Sequence, residues 1–429
     1  MTETTSAAAT ARWADLLHAH IHRHAPQMMR EPEGVLAHPY TVPSSPGSPF
    51  YAAALWDWDS WAIGIALGQV ERDAADTGRF RAYERGSILN FLDHADDDGV
   101  IPVLLRSDGP FLHRDPGRAG GFSENMHKPV LAQHAAMLVQ RDGDAEWLRP
   151  HLGTLVRFVQ RYLDSHVHPE TGLAYWQSDF AIGVDNDPSV FFRPDRSTAA
   201  IFLNSLLYRE LLALGEILEH LGELEESLRW RGRAHDLADA VREHAWDERD
   251  GTFYSVDIGL RPLDGDDWLH RGAPRRWSSV PLRVDSWSSF LPLWAGIATQ
   301  EQAERMVERH RDARTFSAAY GVRTLSRLEK AYDLRATHNP SNWLGPVWGI
   351  SNYLVFRGLS SYGFEDDARE LADKTIRLFG RDLEKTGSLH EYYHPDNGEP
   401  IVTHGFQNWN FLVLNMIAHV QERPVAQEF

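Results

Sequence analysis

Hydrophobic residues recur with the 3.6-residue period of an α-helix along most of the chain, whereas the period-2 alternation of a strand is rare and short. This pattern predicts a mainly helical protein with twelve helices. The predicted helices cover residues 9–27, 51–70, 74–96, 126–141, 145–165, 197–220, 223–245, 286–297, 300–310, 345–359, 363–380 and 405–421.

The links between these helices alternate in length, and the alternation predicts the architecture. Helices joined by tight links form αα-hairpins, with the short turns at one end and the long loops at the other. Six such hairpins closed into a ring make an (α/α)6 barrel in which every second helix lies inside. The short links cover 71–73, 142–144, 221–222, 298–299 and 360–362, and the long links cover 28–50, 97–125, 166–196, 246–285, 311–344 and 381–404.

An open helical array is the alternative to a closed ring. Helices that follow long loops, such as 197–220 and 345–359, are apolar on nearly all sides, as helices inside a ring must be. The hairpins also share no repeated sequence, so we favour the closed, all-α (α/α)6 barrel. No linker rich in Pro, Gly or Ser divides the chain, and residues 1–429 are therefore predicted to form a single domain.

The composition and net charge of the chain argue against several classes of function. The 429 residues include 61 Asp and Glu against 43 Lys and Arg, and a net charge of −18 argues against binding to nucleic acid or to an acidic membrane surface. The absence of cysteine excludes disulfides, zinc–thiolate sites and thiol nucleophiles. No secretory leader and no membrane-spanning run is evident, so we predict a cytoplasmic protein. The 15 Trp, 13 Tyr and 19 Phe are many, and aromatic faces are common platforms for sugars.

The candidate catalytic and sugar-binding residues are concentrated in the long loops and at the helix starts that follow them. Residues 55–61 read LWDWDSW, which supplies indole rings to stack on a sugar and carboxylates to accept hydrogen bonds from its hydroxyl groups. The preference of helix starts for acidic residues would explain Asp57 or Asp59 alone, but it explains the whole cluster less well.

A second cluster is the segment SDFAIGVDNDPS at residues 178–189. The apolar residues before Asp185 disfavour its charged form, and this predicts the raised pKa that a general acid requires. Asp187, directly before Pro188, is instead expected to form an Asx-turn. The acidic residues do not have the spacing of an EF-hand calcium loop.

Residues 390–394 read HEYYH and match the H-E-x-x-H pattern of zinc proteases. That pattern needs a helix that places both histidines on one face, but Pro395 follows directly and disfavours a helical conformation at His394. We therefore regard a zinc hydrolase as the least favoured reading. Glu391 remains a candidate general base.

Five motifs in order resemble glycoside hydrolase family 63 and its clan relatives, the trehalases of family 37. Residues 56–60 resemble the sugar-binding element W-x-W-D-[SA], and residues 183–188 resemble G-x-D-N-[SD]-P, which carries the catalytic acid. Residues 343–348 resemble the substrate-binding stretch W-[RL]-G-P-[VI]-W. Residues 391–395 resemble E-Y-Y-[DE]-P, which carries the catalytic base, and residues 407–409 resemble the closing Q-x-W.

Within the clan, residues 181–188 and 316–323 are most similar to the mannosylglycerate and glucosylglycerate hydrolases. The resemblance implies a cofactor-free, metal-free glycosidase with Asp185 as general acid and Glu391 as general base. His127 and Lys128 stand where many members have Gln and Pro, and Leu344 replaces an Arg that is common in trehalases. The implied substrate-binding residues are Trp56, Trp58, Asp59, His127, Lys128, Gly183, Tyr320, Arg323, Trp343, Trp348, Gln407 and Trp409.

The resemblance also implies inversion at the anomeric carbon, for which the two carboxyl groups must stand about 6.5–9.5 Å apart to admit a water molecule. A glycerate leaving group needs a cation, and the candidates are Arg323, which we favour, Lys128, Arg193 and Arg196. The last two could equally form a surface pair around Asp195. Three alternatives stay open, namely a trehalase or other α-glucosidase, a non-catalytic sugar-binding ring, and the zinc hydrolase.

Overall fold

Each of the twelve predicted helices has a counterpart in the fold. The computed structural model describes residues 7–46, 48, 51–111, 125–260, 277–335 and 341–429. The helices in this part of the chain are α1 (Ala7–His24), α2 (Asp57–Ala74), α3 (Arg81–Asp93), α4 (Leu131–Asp142), α5 (Leu152–Ser165), α6 (Ile201–His220), α7 (Leu224–His244), α8 (Leu291–Ala295), α9 (Gln300–Arg311), α10 (Gly349–Ser361), α11 (Glu365–Thr386) and α12 (Val413–Val420).

Alternate helices line the inside of a closed ring. Helix α2 packs against α4, α4 against α6, α6 against α8, α8 against α10, α10 against α12, and α12 returns to α2. On the outside, α7 packs on α6, α11 on α10, and α1 on both α11 and α12. This is the predicted (α/α)6 barrel, and the contact between α12 and α2 excludes an open array. The sixth hairpin is assembled from α1 and α12.

Burial differs between inner and outer helices as the ring requires. In α2 every residue from Asp57 to Glu71 is buried, because neighbouring helices and loops surround it. In the outer helix α5 the buried side chains are those of Leu155, Phe158, Val159 and Tyr162, whose spacing of three and four residues marks one apolar stripe. In the described part of the chain, no helix is both long and apolar enough to cross a membrane.

Short antiparallel strands occupy the long loops. The strands are β1 (Met29–Arg30), β2 (Tyr40–Thr41), β3 (Ala54–Trp56), β4 (Leu104–Arg106), β5 (Gly109–Phe111), β6 (Thr198–Ala199), β7 (Trp246–Asp247), β8 (Thr252–Phe253), β9 (Ser255–Asp257), β10 (Val280–Leu282), β11 (Ser317–Ala318), β12 (Gly321–Val322), β13 (Val347–Trp348), β14 (Tyr392–Tyr393) and β15 (Pro400–Val402). They form six small sheets of two or three strands, with the orders β1-β2, β3-β4-β5, β6-β9-β10, β7-β8, β11-β12 and β13-β14-β15.

All six inner helices begin four to eight residues later than the sequence pattern predicts, and for two of them strand pairing accounts for the difference. Helix α2 starts at Asp57 instead of residue 51, because the preceding residues form β3, which pairs with β4. Helix α10 starts at Gly349, and the residues before it form β13, in which Trp348 pairs with Tyr392 of β14. Pro346 therefore precedes a strand and does not occupy the first turn of a helix. In both cases backbone pairing between distant loops overrides an apolar run that has helical spacing.

Candidate active site

Glu391 is buried and held by two hydroxyl groups. It precedes β14 in the loop between α11 and α12, and its side chain is only 2% exposed. The Tyr51 hydroxyl donates to Oε1 at 2.9 Å, and the Thr403 hydroxyl donates to Oε2 at 2.6 Å. Each carboxylate oxygen therefore has a fixed donor, and the orientation of the carboxyl plane is set before any ligand binds.

Burial raises the pKa of Glu391 to about 7. The hydrogen bonds from Thr403 and Tyr51 lower this pKa, and the nearby negative charge of Asp185 raises it. Burial also raises the pKa of the Tyr51 hydroxyl, with further contributions from the charges of Glu391, Asp59 and Asp185. Residues from four separate segments thus share one electrostatic environment at the end of the ring that carries the long loops.

The segment that carries Asp185 is tied to the loop before α10. Asp185 is half-buried, and the side chain of its neighbour Asn186 accepts a hydrogen bond from the backbone N–H of Trp343 at 2.7 Å. The Asp187 carboxylate accepts the backbone N–H of Ser189 at 2.8 Å, which confirms the predicted Asx-turn. The two residues that follow Asp185 are therefore held by hydrogen bonds, Asn186 to Trp343 and Asp187 within its own turn.

Asp57 and Asp59 lie in the first turn of α2 but have different partners. Asp57 forms a buried ion pair with Lys128, whose Nζ lies 2.9 Å from Oδ2, and it also accepts the Lys128 backbone N–H. Asp59 accepts a hydrogen bond from the Asn408 side chain at 2.5 Å. Burial raises the pKa of Asp59 well above its usual range, and the charges of Asp57 and Glu391 raise it further. Asp59 thus faces the Glu391 region, and Lys128 is committed to Asp57.

Gly183 allows this ion pair to approach the loop that carries Asp185. Its φ is +88°, a conformation that favours glycine, and a Cβ atom there would lie 2.7 Å from Cε of Lys128. The Lys128 ammonium in turn stands over the ring of Trp58, 5.7 Å from its centroid. The motif glycine is therefore required for both backbone geometry and packing.

A stack of aromatic rings connects the two candidate catalytic segments. Trp343 stacks on Trp348 with centroids 4.0 Å apart and planes 9° apart, and it also stacks on Trp287 with centroids 5.7 Å apart. Trp348 stacks in turn on Tyr392, the residue after Glu391, at 4.7 Å. The stack therefore runs from Trp343, which is hydrogen-bonded to Asn186, to Tyr392, which follows the candidate base Glu391.

The remaining predicted tryptophans adjoin this stack. Trp409 lies 5.1 Å from Trp58 and 5.9 Å from Trp348, measured between ring centroids. Trp56 packs edge-on against Tyr51 at 5.5 Å. We refer to Asp59, Asp185 and Glu391 as the carboxyl cluster. All five tryptophans predicted to bind the substrate are grouped around it.

Other predicted binding residues lie against the protein framework. The His127 ring packs between Phe91 and Phe158, its Nδ1 lies 2.6 Å from the Lys128 carbonyl oxygen, and burial lowers its pKa to about 4, so it is neutral at neutral pH. Gln407 donates to Ser45 and contacts His20 of α1. Their binding roles remain predictions.

Tyr320 and Arg323 are also engaged within the protein. Tyr320 lies under Arg377 and Arg381 of α11, and its hydroxyl accepts a hydrogen bond from Arg381. Arg323 is 2% exposed, donates to the Ser317 carbonyl oxygen at 2.6 Å and pairs with Asp396 at 2.6 Å. Arg323 thus links the loop before α10 to the loop that follows Glu391.

The other two candidate cations lie in the segment before α6. Arg193 pairs with Asp257 at 2.5 Å. Arg196 is exposed and donates from Nε to Gln177 at 2.7 Å.

The H-E-x-x-H segment does not form the helix that a zinc protease needs. Tyr392 and Tyr393 are the strand β14, hydrogen-bonded between β13 and β15. The His390 Nδ1 lies 2.8 Å from Asp382, and the His394 Nδ1 accepts the backbone N–H of Asp396. The pattern is a coincidence of sequence, and the zinc-hydrolase alternative is wrong.

Several residues of the site were absent from the sequence prediction. They are Tyr51, Trp287, Tyr392, Thr403 and Asn408. Tyr392 and Asn408 stand inside the motifs and could have been included on that ground. Thr403 stands alone in a long loop and Trp287 at the start of the predicted helix 286–297. Only the folded chain brings Thr403 to Glu391 and Trp287 to Trp343.

A closed ring of helix pairs with buried carboxyl groups against a tryptophan stack is typical of glycoside hydrolases, and this protein is one. The chain belongs to the family described as the mannosylglycerate hydrolase MGH1-like glycoside hydrolase domain, whose model matches residues 51–409. The family 63 resemblance is thereby confirmed.

Individual relatives are distant. The chain is 25% identical over 418 residues to mannosylglycerate hydrolase MGH1 of Selaginella moellendorffii, covering 84% of this chain and 78% of that one. A mannosylglycerate hydrolase of Rubrobacter radiotolerans is 26% identical over 202 residues, which is 46% of this chain and 39% of that protein. A cytosolic neutral trehalase of Kluyveromyces lactis is 28% identical over 400 residues, covering 79% of this chain and 48% of the trehalase.

A solved structure shares the fold. The family 63 mannosylglycerate hydrolase of Thermus thermophilus, crystallised with glucose, superposes with a TM-score of 0.66 at 21% identity. The match covers 92% of this chain and 99% of that one. At this identity the comparison establishes the (α/α)6 architecture.

Proposed function

We propose that the protein is an inverting α-glycosidase that hydrolyses mannosylglycerate or glucosylglycerate to the free sugar and glycerate. Asp185 is the general acid and Glu391 is the general base. One observation carries the proposal: these residues, 206 positions apart, lie close enough for the charge of Asp185 to raise the pKa of Glu391. The relatives named mannosylglycerate hydrolase support this substrate class.

In the proposed reaction, Asp185 donates its proton to the glycosidic oxygen while the bond to the anomeric carbon breaks. Glu391, ionised and oriented by Tyr51 and Thr403, removes a proton from the water that attacks the opposite face of the sugar. The tryptophan stack supplies apolar faces for the sugar ring. Asp59 is suited to hydrogen-bond a sugar hydroxyl beside the reacting carbon.

The experiment that tests the proposal is sugar release from mannosylglycerate, glucosylglycerate and trehalose, with the anomer of the product followed by NMR. We expect release from at least one glycerate glycoside and a β-anomer as the first product of the α-linked substrate. Release from trehalose alone would favour the trehalase alternative, which the similarity to a neutral trehalase supports. A retained α-anomer would reject the inverting mechanism.

Arg323→Ala is expected to raise KM for a glycerate glycoside about 10-fold or more relative to a neutral α-glycosyl fluoride. The reason is that an Arg–carboxylate hydrogen bond is charge-assisted and bidentate, so its loss selectively weakens binding of an anionic leaving group. Steady-state kinetics on both substrates measure the difference. Arg323 would have to exchange its contact with Asp396 for the glycerate carboxylate.

The matched control is Asp396→Asn, which removes the internal partner and keeps the guanidinium. It should leave the preference for the anionic substrate unchanged or increase it. Equal losses on both substrates in Arg323→Ala would instead assign Arg323 to holding the loop that follows Glu391.

Tyr51→Phe is expected to raise the pKa of Glu391, because the Tyr51 hydrogen bond stabilises the ionised carboxylate. The pH at which kcat/KM declines should therefore move upward. The maximal rate should fall roughly 10-fold, less than the about 10²–10⁴-fold that a proton-transfer group itself contributes, because Tyr51 only positions the base. The pH profile of kcat/KM checks this. The control is Tyr175→Phe, whose hydroxyl bonds the Ser165 carbonyl oxygen. A downward shift in Tyr51→Phe would contradict the assigned role.

A further inference from the structure

Two histidines of α1 and one aspartate of α2 converge outside the carboxyl cluster. His18 and His22 are one turn apart, and their rings stack with centroids 4.0 Å apart and planes 26° apart. Asp73 lies in the last turn of α2, and its side chain is 3% exposed. One ligand atom from each residue lies within 4.8 Å of the others. In the part of the chain that the structure describes, this is the one such group of three.

Two of these polar groups are buried without a hydrogen bond. They are Nε2 of His22 and Oδ2 of Asp73. The other Asp73 oxygen, in contrast, accepts hydrogen bonds from Gln69, at 2.8 Å, and from Arg423. The Nε2 of His18 stands 3.5 Å from the free oxygen, in ionic contact but not in a hydrogen bond. Because buried polar atoms are nearly always hydrogen-bonded, these two atoms indicate a further partner that is still to be assigned.

We propose that His18, His22 and Asp73 bind a divalent transition-metal ion of the zinc class. Two imidazole nitrogens and one carboxylate oxygen are a ligand set that suits Zn²⁺ or Co²⁺, with water completing the coordination. Bonds of about 2.0–2.2 Å require the ligand atoms to approach each other to about 3.5 Å. The His18 Nε2 already stands at this separation from Oδ2 of Asp73, at 3.5 Å.

The surroundings suit metal binding. Gln69 and Arg423 fix the orientation of the Asp73 carboxylate, as outer partners of metal ligands commonly do.

A bound ion would join two parts of the ring. Helix α1 packs on the outside against α11 and α12, and α2 is the inner helix that α12 meets when the ring closes. A metal ion bound by residues of both α1 and α2 therefore holds these two helices together where the ring closes. It stabilises the folded state because the unfolded chain lacks the site. The inference is independent of the glycosidase proposal.

The test uses the full chain without a histidine tag, freed of metal with a chelator and titrated with Co²⁺ and then Zn²⁺. We expect one Co²⁺ per chain with visible absorption, displacement by Zn²⁺, and a higher Tm with either ion. Sugar release at 25 °C should be the same with and without chelator, so failure here and failure of the proposed function are distinguishable.

Variants locate the site. His18→Gln changes a partly exposed residue and should weaken Co²⁺ binding at least 10-fold while the fold persists, and Asp73→Asn should do the same. The matched control is His24→Gln, because His24 stacks on His20 with the same spacing, at 4.0 Å, without a third ligand among the described residues. Equal Co²⁺ binding by wild type and His18→Gln would overturn the proposal. The absence of Co²⁺ binding by the wild type would overturn it as well.

Discussion

Glu391→Gln is expected to lower kcat on a glycerate glycoside by about 10²–10⁴-fold, the range for loss of a positioned general base. This corresponds to about 3–5 kcal/mol of transition-state stabilisation. The amide has nearly the same shape as the carboxylate and still accepts a hydrogen bond from Tyr51 or Thr403, but it cannot take a proton from water. Steady-state kinetics with product analysis measure the loss.

The matched control for this variant is Glu399→Gln, an exposed residue of the same loop that pairs with Lys385. It should retain wild-type turnover, and both variants should have a Tm within a few degrees of wild type. Near-normal turnover in folded Glu391→Gln would remove Glu391 from the mechanism.

Asp185→Asn is expected to lower kcat/KM on a glycerate glycoside by about 10²–10⁴-fold and to affect an α-glycosyl fluoride far less. An alkoxide leaving group needs a proton, whereas fluoride departs as a weakly basic anion and needs little acid assistance. The contrast between the two substrates therefore reports the general acid. Asp195→Asn, an exposed residue of the same loop, is the control and should lower neither rate. Equal losses on both substrates would contradict the role.

The same variant should also change the pH dependence. In the wild type the pKa of Glu391 is raised to about 7 by burial and by ionised Asp185, so the pair keeps one proton up to about pH 7. Hydrolysis of a glycerate glycoside requires that proton, and wild-type kcat/KM on this substrate should fall as the pH rises through 7. The fluoride reaction requires only ionised Glu391, so on the fluoride wild-type kcat/KM should rise with pH through about 7. In Asp185→Asn the same rise should occur through a lower pKa, because the charge of Asp185 is gone.

Fluoride profiles with the same midpoint in the two proteins would show that Asp185 and Glu391 do not act as a pair. The profiles are compared on the fluoride substrate, because both proteins turn it over at measurable rates if the roles are correct. Stability across the pH range is checked by Tm, so that a loss of rate is not confused with unfolding.

The helices and their arrangement could be predicted because hydrophobic periodicity is a local property of the chain. The spacing of apolar residues distinguished inner helices such as α6 from outer helices such as α5, and the alternation of link lengths indicated hairpins. Helix starts were less predictable. At Asp57 and Gly349 the boundary depends on strand pairing with residues about 45 positions away, and such pairing has no local signal.

The catalytic candidates could be named because the motifs around Asp185 and Glu391 are compact. The side chains that surround the site, and their ion-pair partners, could not be inferred from the sequence. The Lys128 side chain is paired with Asp57, the predicted clamp Arg323 is paired with Asp396, and both pairs join segments that are more than 70 positions apart. Charge alone therefore overstated the number of cations available to a glycerate carboxylate.

By itself the sequence determined the helical periods, the order of the hairpins and the identity of the acidic residues, because each depends on neighbours along the chain. The tertiary structure decided which acidic side chains meet, which hydroxyl groups orient Glu391 and how far burial raises its pKa. It also decided that His18, His22 and Asp73 converge. These properties depend on distances through space and on the exclusion of water, and both arise only when the ring closes.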